Sequence, residues 1–349
     1  MNTERPVLKV IRPGLHTTVQ DMGRRGYLDA GVPVSGPLDR IGFRIANALV
    51  GNAPDTPVLE LLIQGPMLEV QADSVRLALA GCNGEMEICG ARRRRIPAGR
   101  SARAIRGETV RIVSLGDSAC GYLAIEGGMV VQPVLGSHST YVRAGLGGIA
   151  GRALAQADLI ELQAKEASSR KERSLEKPFD IGLSQAIRVV LGPQDDFFAD
   201  DAIRSFLDTE YLVSAQSDRM GFRLDGPAIA HAGGYNIVSD GIVAGAIQVP
   251  GSGLPIVLMA DAQTTGGYPK IATVISADIP VLARRKPGSI VRFASLSRED
   301  AEAARRVQET HVQACVERIR EVSDVAAVNL AALAAANLTS GVIDMRGER

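Results

Sequence analysis

Tryptophan is missing from this 349-residue chain, and aromatic residues make up only 4% of it. A platform for single-stranded nucleic acid needs exposed aromatic rings beside basic side chains, so this composition argues against that class. Cysteine is also scarce. The four cysteines form no CxxC pair and are too scattered for a disulfide framework, which indicates a reducing compartment. No HExxH motif accompanies the four histidines, so no metal site is predicted.

An excess of charge is lacking too, because 39 basic residues balance 39 acidic ones. The chain as a whole therefore has no bulk attraction for nucleic acid or for anionic lipid. No apolar run approaches the roughly 18 residues of a membrane span, and the first residues contain no apolar segment typical of a secretory signal. We expect a cytoplasmic protein that binds neither nucleic acid nor membrane.

Glycine is abundant, with 37 residues, and short runs rich in β-branched residues lie between the glycines. This pattern predicts short strands joined by tight turns over residues 7–160, and again between residues 187 and 293. One helix is predicted in the first part, with Asp39 as its N-cap and Gly51 at its end. The expected fold class is β-rich α+β.

Shifts in composition predict the domain boundaries. Residues 163–178 are polar and of mixed charge, so they bury too little apolar surface to offset the entropy of ordering. A helical tail is expected after Ser297, which forms a capping-box-like start with Asp300. The predicted units are an N-terminal domain (1–164), an exposed linker (165–180), a C-terminal domain (181–296) and the helical tail (297–349).

Two segments of the chain resemble each other. VPVSGPLDRIGFRI, from Val32, and EYLVSAQSDRMGFRL, from Glu210, share seven identities at a constant offset of about half the chain. Duplicated domains would place Asp39 and Asp218 on matching elements. Chance similarity within one short window is the alternative.

The segment DAQTTGGYP, residues 261–269, is the densest group of polar residues and glycines. It follows the apolar run 255–260, and a buried strand that ends in such a loop can hold a site rigidly. Its glycines would leave backbone N–H groups free to face a ligand oxygen. The alternative is a structural turn whose Asp and Thr side chains bond their own backbone. The residues assigned to substrate binding are Gln263, Thr264, Thr265, Gly266, Gly267 and Tyr268.

Two further segments are candidates. PQDDFF, residues 193–198, contains Gln194 and two adjacent carboxylates that would either cap a helix or act as a base or magnesium-bridging pair. SDRMGFR contains Asp218 and Arg219, which offer a carboxylate and a planar set of donors, or else form an ion pair in the core. Gln194 and Arg219 are added to the substrate-binding candidates.

Longer motifs occur in a characteristic order: HTTVQDMGRRGYLDAGVPVSGPLDR, LELLIQGP, LGSHSTYVRAGLGG, GPQDDFF, SDRMGFRLDGP, SDGIVAGAIQVPGSGLPIVLMADAQTTGGYP and PGSIVRF. In this order they resemble the allophanate hydrolase subunit 2 family. It is also called the biotin-dependent carboxyltransferase family, and it includes the C subunit of 5-oxoprolinase and KipA-like proteins. The resemblance covers about residues 8–295 and implies two cyclophilin-like β-barrel domains. His138 departs from it, because the family more often has Arg there.

The resemblance implies an enzyme subunit that is inactive alone. The function expected first is ATP-dependent opening of 5-oxo-L-proline to L-glutamate, with a KipI-like subunit 1 and a LamB/YcsF-like subunit, and with ATP bound by the complex. The alternatives are the carboxyltransferase component of a biotin-dependent urea or amide carboxylase, and a non-catalytic KipA-like regulator. A homo-oligomer is also possible.

Both reactions must activate an amide, so they need hydrogen-bond donors at the amide oxygen and a base near the nitrogen or a water molecule. The loop at residues 261–269 supplies donors. Asp218, Asp240 and Asp261 are the predicted catalytic bases.

Overall fold

The computed structural model describes residues 5–177, 180 and 182–322. Within the first half, the strands form a six-stranded sheet and a five-stranded sheet. Their bounds are β1 (Val7–Arg12), β2 (His16–Gln20), β3 (Val58–Leu62), β4 (Met67–Val70), β5 (Ser74–Ala80), β6 (Glu85–Cys89), β7 (Arg93–Pro97), β8 (Ser101–Ile105), β9 (Thr109–Ser114), β10 (Cys120–Ile125) and β11 (Leu159–Glu161). The strand orders are β11-β1-β4-β9-β6-β7 and β2-β3-β10-β5-β8.

The five-stranded sheet is buried on both faces, as its strand β5 illustrates. All seven residues of β5 are buried. Leu77 and Leu79 belong to the apolar core of the first half, whereas Ala78 and Ala80 alternate with them and belong to the core that continues into the second half. Since successive side chains of a strand point to opposite faces, this sheet separates the two cores.

Helix α1 (Arg40–Val50) packs against the alanine face of this sheet. It begins where predicted, because the Asp39 carboxylate accepts hydrogen bonds from the backbone amides of Ile41 and Gly42. It ends at Gly51, which adopts a left-handed conformation. A Cβ atom on Gly42 would lie 2.5 Å from the Cα atom of Gly81, so the helix approaches the sheet more closely than any other residue type would allow.

The second half contains one eight-stranded sheet in the order β21-β14-β15-β18-β17-β20-β13-β22, together with a small β16–β19 pair. The strands β21 and β22 form opposite ends of this order, yet only Arg292 separates them in the chain. The sheet therefore curves into a nearly closed barrel, and the β-rich α+β class is confirmed. The bounds are β13 (Ile187–Leu191), α2 (Asp200–Asp208), β14 (Tyr211–Val213), β15 (Gly221–Asp225), β16 (Asp240–Gly241), β17 (Ala246–Gln248), β18 (Ile256–Leu258), β19 (Thr265–Gly266), β20 (Lys270–Val274), α3 (Ile279–Ala283), β21 (Ile290–Val291) and β22 (Phe293–Ser295).

The two similar segments do not occupy matching elements. Asp39 begins the helix α1, whereas Asp218 precedes the strand β15, so the prediction that they superpose as duplicated elements is wrong. What they share is local. Each aspartate accepts hydrogen bonds from the backbone amides two and three residues further on. The sequence similarity therefore reflects the same small turn used in two different contexts.

The segment expected as an exposed linker is partly buried on the first half. Strand β12 (Glu172–Ser174) lies in it, and Glu172 is only 8% exposed. The buried guanidinium of Arg76 donates to the Glu172 carboxylate at 3.0 Å and to Glu126 at 2.7 Å. The expectation of full exposure is wrong here because these charges pair with a buried arginine instead of remaining in water. The domain boundaries themselves remain a prediction.

After the second barrel the chain returns to the first half. The helix α4 (Arg298–Glu317) begins at the predicted N-cap Ser297, whose hydroxyl accepts from the Asp300 amide. It contacts α1, where Arg44 donates to both oxygens of Glu309. The strand β23 (Arg320–Val322) then pairs with β12. No helix in the described ranges is long and apolar enough to cross a membrane. The tail predicted beyond residue 322 lies outside the described residues.

Buried ion pairs join the two halves. Arg219, 4% exposed, donates from Nε to Asp261 at 2.8 Å and from its terminal nitrogens to Glu60 and to the Gly36 carbonyl oxygen. Glu60, from the first half, also accepts from the Tyr122 hydroxyl at 2.7 Å. Attraction to Asp261 and Glu60 outweighs the effect of burial and raises the pKa of Arg219 above its usual range.

A second pair crosses the same boundary. The Nε atom of Arg284, from the second half, lies 2.8 Å from a carboxylate oxygen of Asp39, the residue that caps α1. Both side chains are almost fully buried. The start of α1 is therefore fixed by a charge from the other half.

We expect the Glu60→Gln substitution to lower the free energy of unfolding by about 3 kcal/mol, because it leaves the Arg219 guanidinium buried without one of its two charge partners. Chemical denaturation monitored by circular dichroism measures this loss. Glu302→Gln, which removes an exposed ion pair with Arg298 on α4, is the control and should cost at most about 1 kcal/mol. Equal, small losses in both variants would contradict the role given to Arg219.

Candidate functional site

The loop predicted to bind substrate is held in place by backbone hydrogen bonds to another exposed segment. Its strand β19 pairs with β16. The Ile242 amide donates to the Thr264 carbonyl oxygen, and the Ile237 amide donates to the Gly267 carbonyl oxygen, each at 2.9 Å. These bonds bring Asp240 alongside the loop, although Asp240 lies more than twenty residues before the first residue of the loop.

Lys270 organises the polar groups at this position. It is only 2% exposed, and its ammonium lies 2.7 Å from a carboxylate oxygen of Asp240. The Gln194 side chain donates to the same Asp240 oxygen at 3.2 Å and accepts from the Lys270 backbone amide at 3.2 Å. Two predicted residues, Gln194 and Asp240, are thus brought together by a lysine that the sequence reasoning missed.

Gln248 links this group to the loop at residues 261–269, which we call the glycine loop. Its side-chain oxygen accepts from Gln263 at 3.4 Å, and its side-chain nitrogen lies 3.5 Å from the Tyr268 carbonyl oxygen. A Cβ atom on Gly266 would lie 2.5 Å from that nitrogen, so glycine is what lets the amide lie against the loop. We call the group formed by Gln194, Asp240, Gln248, Gln263, Thr265, Gly266 and Lys270 the lysine site.

The electrostatics of the lysine site favour an ionised carboxylate. Hydrogen bonds from the Lys270 ammonium, the Gly241 backbone amide and the Gln194 side chain hold the pKa of Asp240 below its usual value. Half of the Asp240 side chain is nevertheless exposed. The site therefore presents a carboxylate and uncharged amide donors at the protein surface, with the buried Lys270 ammonium behind the carboxylate.

The rim of the lysine site is apolar and open. Tyr268 is 40% exposed, and Tyr235, Val238 and Val243, from the segment that pairs with the loop, are more exposed still. Val238 is 92% exposed. Several large apolar side chains exposed around polar groups are typical of a surface that another molecule covers.

The other two predicted bases lie in different surroundings. Both oxygens of Asp261 accept from the buried Arg219, so this carboxylate belongs to the ion pairs between the halves and not to the open surface. Asp218 is exposed and accepts from the backbone amides of Met220 and Gly221. Among the described residues, no hydrogen bond or ion pair connects Asp218 with Asp240 or Asp261. Arg219, predicted to bind substrate, is likewise committed to the core.

The motifs around Asp21 and His138 also meet in space. The Asp21 carboxylate accepts from the hydroxyls of Ser137 and Ser139 and from the His138 backbone amide, each at 2.6 Å. Burial acts to raise the pKa of Asp21, but these hydrogen bonds outweigh it and lower the pKa. The buried Arg24 donates to the Ser139 carbonyl oxygen, while its Nε and one terminal nitrogen have no partner among the described protein atoms.

Two signals in the sequence pointed to the missed residues of the lysine site. Lys270 is a charged residue at the start of a mostly apolar strand, directly after a double glycine, a tyrosine and a proline. Gln248 interrupts the apolar run from Ala246 to Val249. A polar side chain within a buried strand needs a partner, so each predicts a polar contact, although neither predicts which one.

Comparison with known proteins gives a consistent family. The profile of the family described as "Carboxyltransferase domain, subdomain A and B" matches residues 30–295. The chain is 35% identical over 308 residues to the C subunit of the Escherichia coli 5-oxoprolinase, covering 88% of this chain and 97% of that protein. It is 31% identical over 329 residues to the urea amidolyase of Saccharomyces cerevisiae, covering 89% of this chain but only 18% of that protein.

Solved structures resemble this fold as well. The crystal structure of the Kluyveromyces lactis urea amidolyase matches with a TM-score of 0.79 and 28% identity, covering 92% of this chain and 21% of that chain. The urea carboxylase of the same organism matches with a TM-score of 0.79 and 29% identity, covering 92% of this chain and 30% of that one. The chain thus belongs to the family of the carboxyltransferase domain, subdomain A and B.

Proposed function

We propose that this chain is a subunit of an ATP-dependent 5-oxoprolinase, which opens the lactam of 5-oxo-L-proline to L-glutamate in the cytoplasm. Its partners would be a KipI-like subunit 1 and a LamB/YcsF-like subunit. The observation that carries the proposal is the match to 97% of the length of the C subunit of the Escherichia coli 5-oxoprolinase. The match to the urea amidolyase of Saccharomyces cerevisiae, by contrast, spans 18% of a much longer protein.

The lysine site has the groups that lactam opening needs. Resonance makes the lactam carbonyl a poor electrophile, so the reaction requires donors where charge develops on its oxygen. The exposed side chains of Gln263 and Thr265 are such donors, and the buried Lys270 ammonium adds positive charge behind them. The ionised Asp240 carboxylate would accept a hydrogen bond from the lactam N–H group, or it would orient the water that attacks the carbonyl carbon. ATP would be held by the complex, and the residues of the lysine site are assigned to the lactam alone.

A partner subunit would complete this site. The lysine site is open to water on the side of Asp240, and water weakens the electrostatic interactions on which such catalysis depends. The side chains of Tyr235, Val238, Val243 and Tyr268, in the loop and in the segment that pairs with it, are exposed. A KipI-like subunit that covers them would both bury apolar surface and exclude water from the lactam.

A carboxyltransferase acting with carboxybiotin is the second candidate. It is favoured by the family profile and by the likeness to the Kluyveromyces lactis urea carboxylase over 92% of this chain. The same donors would polarise the amide of the substrate, and the ionised carboxylate would accept a proton from the nitrogen that attacks carboxybiotin. The two candidates therefore differ in the co-substrate and not in the demands placed on the lysine site.

Reconstitution distinguishes the two candidates. We expect the purified chain to show no 5-oxoproline-dependent ATP hydrolysis, and the complex with both partner subunits to show it, with one glutamate formed per lactam consumed. Carboxylation of urea by a complex with a biotin carboxylase and carboxybiotin, without lactam opening, would instead establish the second candidate. Full ATP-dependent opening of 5-oxo-L-proline by the chain alone would contradict the inference that a partner completes the site.

Substitutions in the lysine site should lower turnover. Thr265→Val should do so without loss of stability, whereas Asp240→Asn also leaves the buried Lys270 ammonium without its carboxylate partner and should cost some stability. In the reconstituted complex, Thr265→Val and Asp240→Asn should each reduce kcat at least about tenfold, because the loss of one donor or of the base removes stabilisation of the transition state. Asp73→Asn, in an exposed pair with Lys165, is the matched control and should leave kcat unchanged. Asp261→Asn, by contrast, should act through stability, because Asp261 pairs with the buried Arg219. Unchanged kcat in Thr265→Val and Asp240→Asn would return the loop to a structural role.

The ionisation of Asp240 gives a pH test that needs no activity. Because Lys270 holds the pKa of Asp240 below its usual value, the carboxylate should stay ionised to lower pH than a free aspartate does. In Lys270→Met the pKa should rise toward the usual range, about 3.9. Carboxyl carbon chemical shifts followed by NMR during an acid titration measure this change. The same midpoint in both proteins would show that Lys270 does not determine the charge of Asp240.

A further inference from the structure

A cavity of about 280 Å³ lies where α1, α4 and the second half meet, apart from the lysine site. Its floor is largely apolar, and three arginines line it. No acidic residue of the described part of the chain is among its lining residues. The residues that line the cavity come from the segment 34–38, from α1, from α4 and from the second half, including α3. The polar lining residues are Ser35, Arg40, Arg44, Ser276, Arg305 and Gln308.

The positive charge at this cavity is only partly neutralised. Arg44 and Arg305 share one carboxylate, that of Glu309, at distances of 2.7 and 3.3 Å. Arg40 takes part in no hydrogen bond or ion pair among the described residues. Partial burial, together with the like charges of Arg25 and Arg305, lowers the pKa of Arg40. Arginines that repel one another beside a cavity without acidic lining residues are a source of positive potential that an anion would relieve.

Ser35 provides an independent observation. It is 4% exposed and lines the cavity, yet its hydroxyl has no hydrogen-bond partner among the described residues. Its backbone is left-handed, with φ at 55°, a conformation that costs energy for a residue with a side chain. The Ser35 amide donates to the Ala260 carbonyl oxygen and holds this strained segment against the second half. A buried hydroxyl without a partner costs free energy unless something binds it.

We propose that this cavity binds a small organic carboxylate. The guanidinium groups of Arg40 and Arg305 would donate to the carboxylate oxygens, and the Ser35 hydroxyl would add a third hydrogen bond. The side chains of Ile41, Ile279 and Val312 would contact the carbon skeleton. This apolar floor is what favours an organic anion over inorganic phosphate, which has no carbon skeleton to bury.

The proposal does not rest on the proposed function, and the test uses the full chain without partners. Isothermal titration calorimetry would compare four probes. Cyclopentanecarboxylate and 5-oxo-L-proline carry a carboxylate on a five-membered ring, 2-pyrrolidinone carries the lactam without the carboxylate, and inorganic phosphate carries charge without a skeleton. We expect saturable one-to-one binding of cyclopentanecarboxylate, and binding at least about tenfold weaker for 2-pyrrolidinone and phosphate. 5-Oxo-L-proline should bind as well, and the binding that depends on Arg40 is assigned to this cavity.

Variants tie the binding to the cavity. Arg40→Gln removes a charge that no ion pair among the described residues uses, and it should weaken the binding of cyclopentanecarboxylate about tenfold or more, the value of one charge-assisted hydrogen bond. Arg306→Gln makes the same change on α4 at a residue that does not line the cavity, so it should leave binding unchanged. Ser35→Gly removes the hydroxyl and relieves the left-handed strain, so binding should weaken while the thermal midpoint is kept or raised.

Three results would overturn the proposal. They are the absence of carboxylate binding, phosphate binding at least as tight as that of the organic carboxylates, and an equal effect of Arg40→Gln and Arg306→Gln. Because cyclopentanecarboxylate contains no lactam, its binding is independent of 5-oxoprolinase activity. A failure of lactam opening in the reconstituted complex would therefore not contradict the binding of cyclopentanecarboxylate to the cavity. A failure of that binding would likewise not contradict the proposed lactam opening.

Discussion

The guanidinium of Arg219 is buried, so it must find negative charge nearby, and it finds that charge in both halves of the chain. Glu60 from one sheet and Asp261 from the start of the glycine loop enclose it, and Tyr122 and the Leu38 amide complete the hydrogen bonds of Glu60. Burying any one of these charges without its partners would be strongly unfavourable. This requirement therefore constrains the relative position of the two halves, in addition to the apolar core that they share.

Both the lysine site and the carboxylate cavity depend on that fixed boundary. Asp261 is the first residue of the loop that supplies Thr265 and Gly266 to the lysine site, and Ala260, directly before it, lines the cavity. Ser35, on the cavity wall, precedes Gly36, whose carbonyl oxygen accepts from Arg219. A shift of the halves against each other would thus displace residues of the lysine site and of the cavity together. Polar motifs that lie far apart in the sequence are therefore found together at the boundary between the two halves.

Local chemistry made part of this structure predictable. Asp39 and Ser297 cap the helices they were expected to cap, because a cap depends only on neighbouring backbone amides. The contacts that decide the site are not local. Lys270 contacts Asp240, and Arg219 contacts Glu60, although the partners lie far apart in the sequence, and no spacing in the sequence encodes either contact.

The same limit explains the two wrong predictions. Asp39 and Asp218 share a turn, and a similarity of that length in the sequence does not show whether a helix or a strand follows it. The composition of the linker likewise does not show that Glu172 has a buried partner, because Arg76 lies on a strand almost a hundred residues earlier.

The parallel pairing of β13 with β22 has a consequence for the architecture as a whole. Ile187 lies opposite Phe293, so the second barrel leaves and rejoins the rest of the chain at neighbouring points. On either side of it, β12 and β23 pair with each other, and α4 contacts both α1 of the first half and β13 of the second. In topological terms, most of the second half lies between two strands of the chain that pair with each other. Entry and exit points this close are typical of sites at which proteins tolerate the insertion of a long segment.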